Sequence, residues 1–149
     1  MDDSLTPSSE SAARWPRDLQ IFAGICVLWS AVLMTRSVFN LSAGGVPLED
    51  VIFGLKFYAN QARVTMALQA IIIAAFGIGI AMHQRWGLIL ALLYMAQVII
   101  GHVIFIASNL GVDSQRIHVK IASIESPIVL LIALYVCYRS RPLLRQDSR

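Results

Sequence analysis

The chain has 149 residues, 57% of them hydrophobic and 14% charged, with a formal net charge of +3. That leaves too little polar surface to coat a water-soluble globule, and it places nearly the whole chain in or against a membrane. The basic residues flank apolar runs and form no stripe interleaved with aromatics, which argues against a nucleic-acid partner.

Residues 1–17 are rich in Ser, Asp, Glu and Pro and are expected to form a disordered tail. The uncharged run 19–35 predicts a first membrane helix from Asp18, as N-cap, to Phe39, with Trp15 at the headgroup level. Arg36 follows that run before any small-residue cleavage site, so the helix is expected to be retained rather than removed as a signal peptide. Gly44 and Gly45 break the chain, and Pro47 with Glu49 and Asp50 then reads as a helix start. Val51, Ile52, Leu55 and Tyr58 return at helical spacing. Residues 47–60 are therefore expected to form a short interfacial helix, too short and too charged to span, with an irregular loop as the alternative.

The second uncharged run, 64–84, carries Ala67, Ala70, Ala74, Gly77 and Ala81 in steps of three and four, a stripe that lets another backbone approach closely. A turn at His83-Gln84-Arg85 leads into the third run, 86–112, where Gly87, Ala91, Tyr94, Val98, Gly101, Phe105 and Ser108 keep a seven-residue rhythm. The two seams predict an antiparallel hairpin of the second and third spans. Asp113 or Ser114 can cap a fourth helix, whose apolar run 121–138 contains one carboxylate, Glu125, and a Pro127 expected to kink it. The expected fold is an all-α membrane protein with four transmembrane helices in an up-down bundle. Its single domain covers 18–139, and a basic tail occupies 140–149.

Four spans place both termini and the second turn on one side, which carries seven Lys or Arg against five on the other. Both termini are accordingly expected in the cytoplasm, with the chain in a cell membrane of the bacterial inner-membrane kind.

Each helix also places a polar group at nearly one depth. Measured from the cytoplasmic flank, Arg36 lies at about 27 Å, His102 at about 25 Å, Gln69 at about 24 Å and Glu125 at about 21 Å. An unpaired charge near the middle of a membrane helix costs about 2.5–3.5 kcal/mol, so mutual pairing is expected, with Arg36–Glu125 as the natural ion pair. Snorkelling of Arg36 and a purely structural ion pair are the plainer explanation. Ser30 and Gln97 make a second polar level.

Other chemistry fails on spacing. Cys26 and Cys137 form no CxxC pair. No nucleophilic triad, P-loop or dinucleotide motif is present, and Gly77-x-Gly79 lies within a membrane helix as a packing element. His83 and His102 fall on opposite sides of the membrane, and His102 with His118 is weak evidence for a metal. No cofactor is expected. The sequence thus favours a non-enzymatic membrane protein whose partners are the lipid bilayer and either further copies of itself or another membrane protein. The alternatives are a protomer of an oligomeric proton or small-solute transporter, and a quinone- or haem-binding redox subunit using His102.

Overall fold

A computed structural model of the chain describes residues 15–39, 48–112 and 116–144. Among these residues the elements are α1 (Arg17–Phe39), β1 (Glu49–Ile52), β2 (Leu55–Tyr58), α2 (Ala59–Ala81), α3 (Arg85–Asn109) and α4 (Arg116–Leu144). All four helices are long and apolar enough to cross a membrane, which agrees with the four apolar runs. At a rise of 1.5 Å per residue they reach about 35–43 Å, more than the roughly 30 Å of a hydrocarbon core. The tail before residue 15, the glycine-containing link 40–47, the expected cap at Asp113 or Ser114 and residues 145–149 lie outside the described residues.

The expected interfacial helix at 47–60 is not formed. In its place β1 and β2 make an antiparallel hairpin, with Glu49 opposite Tyr58, Asp50 opposite Phe57, Val51 opposite Lys56 and Ile52 opposite Leu55. Val51, Ile52, Phe57 and Tyr58 are β-branched or aromatic and suit a pleated, half-buried surface. Phe53 and Gly54 form the two-residue turn, both at positive φ (50° and 78°), as the tight turn of a twisted hairpin demands. The hairpin runs straight into α2, where the Ala59 N–H donates to the Leu48 carbonyl at 3.0 Å.

The longest packed seam joins α1 to α2. α1 buries Leu19, Ala23, Cys26, Ser30, Leu33 and Ser37, alternating steps of four and three, while α2 answers with Ala62, Met66, Ala70, Ile73, Gly77 and Ile80. A Cβ on Gly77 would lie 3.2 Å from the Ala23 carbonyl oxygen and 3.3 Å from the Cys26 Cβ. The small-residue stripe of the second span therefore receives α1, whereas the sequence had directed it at the third span. The hairpin packs against both α2 and α3. A Cβ on Gly101 of α3 would sit 3.2 Å from the Phe53 nitrogen. Close approach of α2 and α3 is concentrated beside their short turn, where a Cβ on Gly87 would lie 2.7 Å from backbone atoms of Gly79 and Ile80.

Polar ties fasten the ends. Near the hairpin, Arg63 of α2 donates from Nε to the Ser37 carbonyl (2.8 Å) and from a terminal nitrogen to the Val38 carbonyl (3.1 Å), while the Ser37 hydroxyl donates to the Arg63 carbonyl (2.7 Å). At the opposite end Gln20 hydrogen-bonds the His83 imidazole at 2.8 Å, and the Trp15 ring lies 5.3 Å from that of His83. α4 packs on α3 and has little contact with α1 along its length. The two are joined at the end near the α2–α3 turn, where Arg139 donates to both oxygens of Asp18 (2.6 and 3.0 Å) and the Tyr135 hydroxyl donates to the same carboxylate. Asp18 lies within the first turn of α1, and its carboxylate serves Arg139 rather than capping the helix as expected. α4 continues unbroken through Pro127 and Pro142 to Leu144. The Ser126 hydroxyl there donates to the Ala122 carbonyl at 2.7 Å.

Candidate functional site

Because α1 pairs with α2 and α3 with α4, α1 and α4 stand apart and become facing walls of a cavity of about 640 Å³. That volume lies within the roughly 300–1,000 Å³ typical of small-molecule sites. α1 supplies an apolar wall of Phe22, Ile25, Cys26, Trp29 and Leu33, and Ile73, Phe76 and Met95 form a buried back. Lining residues on both of these helices are exposed: Ile25 and Trp29 on α1, Ile121 and Ile128 on α4. The cavity therefore opens sideways, between two apolar helices.

Its polar groups gather toward the hairpin. Asp50 of β1 accepts hydrogen bonds from the Gln69 amide of α2, at 2.9 Å to one oxygen and 3.2 Å to the other, and from the Val51 N–H at 2.9 Å. Gln69 accepts in turn from the Tyr94 hydroxyl of α3 at 3.0 Å. One amide thus links a strand carboxylate to a phenol on the third helix, with both ends of the amide engaged as a buried polar group requires. Glu49 lies 3.9 Å from the Lys56 ammonium and 3.7 Å from His118 Nε2, and the Lys56 nitrogen sits 5.6 Å above the Phe105 ring. His102 Nε2 is 3.7 Å from a Glu125 oxygen, within ion-pair range and too long for a direct hydrogen bond. The His102 side chain is 18% exposed and its buried Nδ1 has no hydrogen-bond partner, whereas Glu125 is 55% exposed in the opening.

Of the four residues singled out in the sequence, Gln69, His102 and Glu125 all line this cavity, and Arg36 is not among its lining residues. Glu125 faces His102, so the Arg36–Glu125 pair is not formed. A charged tie between the first and fourth helices does exist, at their other end, through Asp18 and Arg139. Gln97 also lines the cavity, while Ser30 turns back to donate to the Val27 carbonyl of its own helix at 2.7 Å. Sequence reasoning missed Asp50, Glu49 and Tyr94. The first two were assigned to an interfacial helix and the third to an apolar seam. An acidic pair immediately before a β-branched pair, with an aromatic-Gly turn behind it, was the available signal. Among the described residues no group of three or more His, Cys, Asp or Glu is placed to hold a metal ion.

No protein-family profile, curated protein or solved structure matches the chain. The functional reading therefore rests on the cavity itself.

Proposed function

We propose that this is a small, non-enzymatic, four-span membrane protein that binds an amphipathic molecule within the bilayer plane. The ligand's chain lies against Phe22, Ile73, Phe76 and Met95, and its head meets the polar groups near the hairpin. The observation that carries this reading is a cavity, open sideways between α1 and α4, whose lining grades from apolar to hydrogen-bonding along the helix direction. Ionisable groups at membrane depth are costly and mark functional sites by default. In this reading the helices run up and down across the membrane, with both termini in the cytoplasm and the hairpin on the far side.

Association through the small-residue seams has less support, because Gly77, Gly79, Gly87 and Gly101 are already occupied by contacts within the chain. A proton or solute path finds little support in a lining whose carboxylates and imidazoles gather toward one end.

Photolabelling tests the reading. A neutral dodecyl alcohol carrying a chain-terminal diazirine should label the side chains of Ile73, Phe76 or Met95, assigned to single residues by fragment sequencing, and do so saturably. The three residues are only 5%, 3% and 6% exposed, so a probe in surrounding lipid or detergent cannot reach them. Val98→Phe with Val129→Phe, which narrows the cavity, should reduce that labelling. Labelling confined to outward residues such as Leu68 and Leu131 would overturn the proposal.

A further inference from the structure

We infer that the ligand of this cavity carries a cationic head, a long-chain ammonium amphiphile, rather than an anionic or uncharged one. The inference rests on the binding reading above and adds the sign of the ligand's charge. Three carboxylates, Glu49, Asp50 and Glu125, line the cavity, and none of its described lining residues is Lys or Arg. Glu49 has a cation at hand in Lys56, 3.9 Å away. Among the described residues, neither Asp50 nor Glu125 has a Lys or Arg in ion-pair contact. Asp50 is held by neutral donors, the Gln69 amide and the Val51 N–H, and Glu125 lies 3.7 Å from the His102 imidazole. Neutral hydrogen bonds hold a carboxylate in place but do not cancel its charge, and in a low-dielectric setting that charge favours a cation strongly.

The margin of the cavity already shows how an ammonium is accommodated. Lys56 places its nitrogen between the Glu49 carboxylate and the face of Phe105, a carboxylate and an aromatic ring sharing one cation. The cavity that Asp50 and Glu125 line also holds two aromatic rings, Tyr94 and Trp29. A ligand ammonium entering between α1 and α4 passes Glu125 in the opening before it reaches Asp50 farther in. An anionic head would meet two carboxylates on that route, and no Lys or Arg among the described lining residues. A fatty acid or phosphate-headed amphiphile is therefore disfavoured. His102, whose buried Nδ1 lacks a partner, offers a further acceptor to an ammonium that retains N–H groups.

The test is competition against the neutral diazirine alcohol, read at Ile73, Phe76 and Met95 as single labelled residues. Three competitors share a dodecyl chain and differ only in the head: dodecyltrimethylammonium, dodecanol and dodecane sulfonate, the first and last permanently charged. The ammonium should compete at a concentration at least tenfold below the alcohol, equivalent to about 1.4 kcal/mol, with the sulfonate weakest. Asp50→Asn with Glu125→Gln should bring ammonium and alcohol to within about threefold of each other, about 0.7 kcal/mol. Glu125→Gln alone should narrow the gap in part, and because Glu125 is exposed this variant keeps the test open if the double variant does not fold. Equal competition by all three heads, or preference for the sulfonate, overturns the cationic inference while the labelled cavity stands. Absence of labelling at those three residues removes the cavity reading itself.

Discussion

Three glycine-to-alanine substitutions separate the two kinds of helix contact, because the added methyl meets a different neighbour in each. In the interior of α1, a Cβ on Gly24 meets nothing within 4 Å, so only the helix preference of alanine over glycine is felt, about 1 kcal/mol of stabilisation. On Gly77 the methyl would sit 3.1 Å from Val27 Cγ2 and 3.2 Å from the Ala23 carbonyl oxygen. The side chain can yield but the carbonyl cannot easily do so, so a cost of similar size cancels the gain and the net change stays within about 1 kcal/mol of zero. On Gly87 the methyl would lie 2.7 Å from backbone atoms of both Gly79 and Ile80, neither of which can rotate away. Overpacking there costs about 1–3 kcal/mol, with little propensity gain so near the start of α3. The expected order of stability is Gly24→Ala, then wild type with Gly77→Ala, then Gly87→Ala, measured by reversible unfolding in mixed micelles followed by circular dichroism. If Gly87→Ala were as stable as Gly24→Ala, the backbones of α2 and α3 would not meet at that turn, and the packing argument would fail.

The Asp18–Arg139 tie predicts that Asp18→Asn increases the distance between spin labels on α1 and α4 near that end, and that exchanging the two charges restores it. An unchanged distance in Asp18→Asn would show that the tie does not hold the helices. At the hairpin turn, Phe53 holds a positive φ that a bulky side chain disfavours, so Phe53→Asn should stabilise by about 1 kcal/mol in the same unfolding assay, and a loss of stability would refute the turn geometry. Gly101→Leu should detach the hairpin from α3, seen as faster hydrogen exchange of the β1 and β2 amides, whereas unaltered exchange would count against the contact. For topology, reporters placed after Arg149 and within residues 43–46 should show opposite sidedness, and equal accessibility from outside would refute the four-span arrangement.

The spans were legible because hydrocarbon imposes a length and forbids charge, and both requirements are written locally in the chain. The hairpin was not. Val51, Ile52, Leu55 and Tyr58 satisfy a helical period and also two short strands separated by a two-residue turn, and eight residues are too few for periodicity to decide. Misplacing those residues moved Asp50 and Glu49 out of the site. The α1 seam was missed although Ala23, Ser30 and Ser37 recur every seven residues, because the more conspicuous alanine stripe of α2 was paired with its neighbour in sequence. Depth along each helix singled out Gln69, His102 and Glu125, which line one cavity, since rise per residue needs no knowledge of packing. Depth alone does not say which way a side chain faces, and for that reason it could not tell that Glu125 would meet His102 while Arg36 lay elsewhere.

The sideways opening between α1 and α4 changes what affinity means for such a site. Under the proposed function an amphiphile entering there would come from the lipid phase, so occupancy would follow its mole fraction among lipids rather than its concentration in water. Diluting the cell suspension leaves that fraction almost untouched for a long-chain molecule, whereas adding lipid lowers it. A site that looks weak in detergent, where micelles dilute the ligand, can thus be nearly full in a native bilayer that holds one such molecule per few hundred lipids. Asp18 and Arg139, at the far end of the same gap, then bear on exchange rate more than on strength, because they set how far two walls part for a chain sliding in from the side.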